Sequence, residues 1–206
     1  MVDVGGGIEA VANSVALAIT AAVRDDVGAG WGVPVPAYDS VLVPFDPDRL
    51  EPAEAEARLR ACIAIALDRD RAAVTGRLHR IPARYGGADG PDLDAVAERL
   101  GLGPAQVVEL HASVEYRVFV LGFAPGFGYL GRLPSELRAP RHDQPRPRVP
   151  AGSVAIAGWQ TAIYPSSTPG GWHLIGRTDA VMWDARRSEP ALLAAGDRVR
   201  FEPVSG

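Results

Sequence analysis

Arg141, Arg146 and Arg148 stand in the segment PRHDQPRPRVP, where prolines hold the backbone extended. An extended backbone reduces the entropy lost when guanidinium groups are aimed at a ligand. A guanidinium grips a carboxylate, carbonyl or phosphate through a planar fork of donors. Gln160, Thr161 and Tyr164 follow in WQTAIYP and can hydrogen-bond an amide, while His173 alternates off a strand between Trp172 and Leu174. Such donors can polarise an amide carbonyl and stabilise the oxyanion formed on attack. We therefore assign Arg141, Arg146, Gln160 and Tyr164 to catalysis, and Arg148, Thr161, Trp172, His173 and Arg177 to substrate binding. A competing reading makes Arg141, Arg146 and Arg177 structural partners of Asp92, Glu115 or Asp179, and Phe123, Phe127 and Trp172 packing residues.

Other chemistries are poorly served. All 21 cations are arginine, which excludes a lysine nucleophile, a Schiff base, a Walker-type phosphate lysine and covalent biotin on this chain. Ser153 lies in AGSVA, which lacks the second glycine of a nucleophile elbow and runs into a strand rather than a helix. His79, His111, His142 and His173 are 31 or 32 residues apart, without the local spacing of a zinc site, so no metal site is expected. His111 ends an apolar helix and reads as a core or capping residue. Cys62 lies in an apolar helical pattern and reads as a structural thiol. The glycines of GGADG precede a helix, and Gly86–Gly90 is where backbone amides would meet a phosphate if this chain held one.

These residues need a scaffold, and the stretch from Gly122 to Thr178 supplies one. It holds nine glycines and eight prolines, with Phe123, Phe127, Tyr129, Trp159, Tyr164 and Trp172 between them. Disordered linkers lack such large apolar side chains, so this is an ordered, loop-rich surface on strands. Arg148–Ala157 and Trp172–Ile175 read as strands within it. Six arginines against two acids make the stretch positive, although the whole chain carries −4. That net charge points to neither nucleic acid nor anionic membranes. There is no apolar run of 18 residues and no secretory pattern at the N-terminus, so a cytoplasmic protein is expected.

Two composition regimes meet near residues 82–90. Residues 1–82 read as an α+β domain: a helix over Ala10–Val23 with Val11, Val15, Ala18, Ile19 and Ala22 on its stripe, a strand over Ser40–Phe45, a helix over Pro52–Leu67 with Leu59, Ile63 and Leu67 inward, and a last strand over Gly76–Ile81. Met1–Val4 supplies only the tail of a first strand, which either a shortened edge strand or a truncated start would explain. Residues 83–206 open with two short helices, one ending at Gly101 and one starting at Pro104. Strands then follow over Glu115–Gly122, Ala180–Asp184, Ala191–Ala195 and Asp197–Pro203, the pattern of a mostly antiparallel β-barrel.

The motifs GGADGPDLDAVA, GFAPGFGYLG, PRHDQPRPRVPAGSVAIAGWQTAIYP and PGGWHLIGRT, in that order, closely resemble the KipI/PxpB family, also called allophanate hydrolase subunit 1. VPAYDSVLVPFDP extends the resemblance into the first domain. The resemblance implies a ferredoxin-like N-terminal domain and a cyclophilin-like C-terminal barrel of the carboxyltransferase type. It implies a subunit, inactive alone, that works with a KipA/PxpC-type partner and a PxpA-type third subunit as an ATP-dependent 5-oxoprolinase, ATP being bound by the complex. Allophanate hydrolysis, inhibition of a histidine kinase, and a role in a biotin-dependent urea carboxylase are the other activities the family suggests.

Overall fold

The computed structural model describes residues 1–26, 30–68 and 76–205, and the chain divides into two units, Met1–Thr75 and Gly76–Gly206. In the first unit, β1 (Val2–Asp3), β2 (Val35–Ala37) and β3 (Ser40–Leu42) form an antiparallel sheet in the order β1-β3-β2. Helices α1 (Ala10–Asp25) and α2 (Pro52–Asp68) pack with it. Their core joins Val15, Ala16, Ile19, Ala22 and Val23 of α1 to Cys62 and Ala66 of α2 and to Val41 and Val43.

The α2 stripe differs from expectation. Ala55, Cys62 and Ala66 are the buried positions, Leu59 and Ile63 are partly buried, and Leu67 is exposed. Small side chains let α2 approach α1 closely, so the packed face is centred on them rather than on the larger residues beside them. Val11 of α1 is exposed as well. Burial pushes the Cys62 thiol above its ordinary range, as suits a packing residue.

The second unit contains a seven-stranded closed barrel. Its strands are β4 (Leu78–Tyr85), β5 (Tyr116–Leu121), β6 (Gly128–Gly131), β8 (Ser153–Ala157), β9 (Gln160–Ile163), β11 (His173–Arg177) and β12 (Arg198–Pro203). The order around the barrel is β11-β4-β12-β5-β6-β9-β8, with β8 closing on β11. Every neighbouring pair is antiparallel except β4 and β12, which run parallel from Leu78↔Arg198 to Ala83↔Pro203. The strand read over Gly76–Ile81 as the end of the first domain is therefore a barrel strand, running through the expected boundary at 82/83. Its alternation, read alone, could not tell which sheet it would join. A ferredoxin-like arrangement needs four strands, and the described residues of the first unit supply three.

Side chains from the strands fill the barrel, among them Val118, Leu130, Val154, Ile156, Ile163, Ile175 and Phe201. Each such side chain contributes about 1.5–3 kcal/mol relative to exposure. Helices α3 (Leu93–Leu100) and α4 (Pro104–Ala112) add Leu93, Val96 and Val107 to this core. The expected strand over Arg148–Ala157 breaks at Pro150–Gly152. Its first part becomes β7 (Arg146–Val149), which pairs with β10 (Thr168–Gly170) in a separate two-stranded ribbon. Ala180–Asp184 and Ala191–Ala195 form only one bridge, Trp183↔Ala191, rather than strands.

A second apolar cluster contains Phe127, Tyr164 and Trp172 with Ala155, Ala157 and Ala162. On β8 and β9 these alanines alternate with the inward Val154, Ile156 and Ile163, so they face outward from the barrel. Small side chains there make room for rings stacked edge to face, Phe127 lying 5.3 Å from Tyr164 and 5.9 Å from Trp172. Phe127 and Trp172 are thus packing residues, whereas Phe123 is 61% exposed.

Candidate functional site

Asp92, immediately before α3, is the hub of a polar cluster. Gly90 sits so close to β11 that a Cβ there would lie 2.1 Å from the Ile175 carbonyl oxygen. This approach lets the Asp92 N–H donate to the Leu174 carbonyl at 2.9 Å, while the Leu174 N–H donates to Asp92 Oδ2 at 2.7 Å. The carboxylate is buried, at 7% residue exposure, and three groups converge on it. Arg146 Nη2 donates to Oδ1 at 2.5 Å, and His142 Nε2 faces Oδ2 at 3.4 Å alongside the Leu174 amide. His142 is itself held by its backbone N–H on the Gly171 carbonyl.

His173 completes the group. Its ring centroid lies 4.0 Å from that of His142, and its Nε2–H donates to the Pro140 carbonyl at 2.7 Å. Burial lowers its pKa, opposed by the Pro140 hydrogen bond, so the ring favours its neutral form. Arg146 keeps one unspent donor: Nη1 is buried and has no hydrogen-bond partner. The Arg146 side chain as a whole is 31% exposed, so the guanidinium borders the surface where a carbonyl or carboxylate oxygen could meet it.

Arg141 and Tyr164 border this cluster. The Arg141 guanidinium carbon is 5.7 Å from the centroid of the Trp172 ring system. Tyr164 is buried in the aromatic layer, its hydroxyl bonded by the Trp172 backbone amide, and a Cβ on Gly170 would come within 2.3 Å of that hydroxyl. Burial raises its pKa, while Trp172, Arg141 and Arg146 pull it back.

The remaining assigned residues are dispersed. Arg148 is exposed and donates to Ser167 Oγ at 3.0 Å. Gln160 and Thr161 begin β9, and Thr161 turns into the barrel, where its hydroxyl donates to the Ala155 carbonyl at 3.0 Å. That hydroxyl accepts from His111 Nε2 at 2.9 Å, while the Tyr85 hydroxyl donates to Nδ1 at 2.8 Å. Burial drives the His111 pKa down to about 3, so this core histidine is neutral and fully satisfied. Arg177 lies half-buried near Asp179, but Asp179 is paired with Arg84 at 2.8 Å. Glu115 pairs with Arg198. Of the ion pairs considered from sequence, Arg146 with Asp92 is the one that forms. Arg146 is therefore a structural partner of Asp92 whose Nη1 is left unbonded.

From sequence, His142 is not assigned to the site, and Asp92 enters only as a possible arginine partner. They are 50 residues apart, and no local spacing links them. One ligand-type atom each from Asp92, His142 and His173 lies within 4.8 Å of the others, close enough to share a cation. The same carboxylate already accepts from a guanidinium and an amide, which oppose a divalent ion in charge and compete for lone pairs. At Gly86–Gly90 the Gly86, Asp89 and Gly90 amides are spent on backbone carbonyls, and Asp89 is paired with Arg84 at 2.9 Å.

Comparison with known proteins places this architecture. A family model for the carboxyltransferase domain, subdomains C and D, matches residues 1–193. The 5-oxoprolinase B subunit of Bacillus subtilis (strain 168) is 39% identical over an alignment of 219 residues, which covers all of this chain and 89% of that protein. The corresponding 5-oxoprolinase component of Escherichia coli O157:H7 is 59% identical over 127 residues, 62% of this chain and 58% of that protein. The match thus spans little more than half the length of the E. coli relative. Among solved structures, TTHA0988 superposes with a TM-score of 0.87 at 43% identity, over all of this chain and 39% of its own. Kluyveromyces lactis urea carboxylase shares the fold with a TM-score of 0.71 at 19% identity, over 95% of this chain and 20% of its own. Matched from residue 1 to 193 by the domain family and over its whole length by the B. subtilis protein, this chain belongs to the KipI/PxpB family of 5-oxoprolinase B subunits, within the carboxyltransferase-domain proteins.

Proposed function

We propose that this chain is the B-type component of a cytoplasmic, ATP-dependent amide hydrolase that opens 5-oxoproline to glutamate. A KipA/PxpC-type partner would complete the site and a PxpA-type third subunit would join the assembly, with ATP handled by the complex. The closed barrel supports reading the second unit as cyclophilin-like. The observation that carries the proposal is the buried, unpartnered Nη1 of Arg146 beside His142, His173 and Asp92.

5-Oxoproline presents a ring carbonyl and a carboxylate, two oxygen-rich groups that suit a guanidinium. Arg146, oriented by Asp92, would hold one such oxygen and stabilise the charge that develops on it. A donor fixed before reaction stabilises that charge without reorganising, which is where electrostatic catalysis gains most. Arg141 and Arg146 both act electrostatically on the Tyr164 hydroxyl, so Arg141 adds positive charge nearby. A site built of one fixed guanidinium and two imidazoles lacks a nucleophile of its own, in keeping with a composite site.

Reconstitution tests the proposal. The three-subunit assembly should hydrolyse ATP in response to 5-oxoproline, and this chain alone should not. No stimulation by 5-oxoproline with every partner present would contradict it. Stimulation by allophanate, or by urea with a biotinylated partner, would move the same site to a different amide.

A further inference from the structure

We infer that His142 is the acid–base residue of this site and that Asp92 positions it, an inference that rests on the amide-hydrolase reading above. The tautomer follows from the partners. A carboxylate only accepts, so the His142 Nε2 facing Asp92 Oδ2 at 3.4 Å carries the hydrogen. The neutral ring then keeps its lone pair on Nδ1, and no described residue hydrogen-bonds that atom. His173 has the same arrangement, with Nε2–H committed to Pro140, but it is 5% exposed. The His142 side chain is 30% exposed, so water and substrate reach it.

Each partner of His142 limits its motion. Asp92 is pinned by Arg146 and by the Leu174 amide, His173 lies against the ring, and the His142 backbone is bonded to Gly171. A base whose orienting carboxylate is itself anchored is the general form of an activated acid–base pair. The 3.4 Å contact is long, as such contacts often are before substrate binds. Arg146 and His142 contact different oxygens of one carboxylate, which makes the oxyanion donor and the base neighbours.

The protons of the water-addition step balance on the His142 ring. As the oxygen of water bonds to the amide carbon, Nδ1 takes one proton and the carbonyl π pair moves onto oxygen beside Arg146. When the oxyanion collapses, the C–N bond breaks with its electron pair on nitrogen, and the imidazolium returns the proton to that nitrogen. Water has been added across the bond, and the ring is neutral again.

The test uses the assembled complex with 5-oxoproline. His142→Ala should lower kcat about 100-fold or more, the usual scale of a lost acid–base group. KM should stay unchanged, and added imidazole should restore part of the rate, which a merely structural role would not allow. Full activity in His142→Ala, or a loss that imidazole does not restore, overturns the assignment. If Arg146→Lys is inactive while His142→Ala is fully active, the base role fails and the hydrolase reading stands. If the wild-type complex does not turn over 5-oxoproline, the reading fails and this inference falls with it.

Discussion

The two terminal nitrogens of Arg146 sit in opposite circumstances. One terminal nitrogen satisfies a buried carboxylate, and the other is buried with nothing to bond. Removing the acid should therefore be costly. Asp92→Asn leaves the guanidinium facing an amide and should cost about 1–3 kcal/mol, the scale of a stranded buried polar group, read as a lower denaturation midpoint. His111 makes a separate prediction. Its folded pKa of about 3 lies below the ordinary value of 6.5, so the unfolded chain binds a proton that the native chain does not. The stability from keeping this ring neutral is present above about pH 6.5 and is lost as the pH falls toward 3, by up to about 1.4 kcal/mol per pH unit. Denaturant titrations of His111→Gln should show a flatter decline across that window, from a lower starting stability. An unchanged slope would show that other groups govern acid unfolding.

At the scale of elements, the loop before α3 and strand β11 behave as one device. Gly90→Ala would drive a methyl group into the Ile175 carbonyl oxygen. Backbone cannot yield as a side chain tip can, so we expect a loss of about 3 kcal/mol together with displaced Asp92 and lower activity. A melting temperature equal to wild type would contradict this account of the loop. The same region marks the limit of what the sequence reveals. Periodicity located α1, α2, α3, α4, β5, β11 and β12, because each carries an apolar face or a capping residue of its own. It could not assign β4 to the barrel, since its partner β12 lies more than a hundred residues downstream and pairing leaves no local trace. It merged β7 with β8, although Gly152 turns there with φ of 81°. Arg146, His173 and Tyr164 were legible as polar or aromatic residues on a Gly/Pro-rich surface. Asp92 was legible as a possible arginine partner, but its contact with His142 became visible only once the fold had closed the 50-residue gap between them.

For the whole molecule, family membership and geometry point the same way. The chain matches a 5-oxoprolinase component along its full length, and its cluster joins a guanidinium with one unbonded nitrogen to a carboxylate and two imidazoles. Catalysis should therefore appear only on assembly, and substrate should contact this chain through Arg146. The most direct test of that claim is the 5-oxoproline-dependent ATP hydrolysis of a complex carrying Arg146→Lys. Lysine keeps a positive charge beside Asp92, so the fold should persist, but it lacks the second forked nitrogen. We predict a normal melting temperature with kcat/KM reduced about 100-fold, the scale on which a lost oxyanion donor is felt. Wild-type turnover in that variant would contradict the account, because the site would then lie elsewhere.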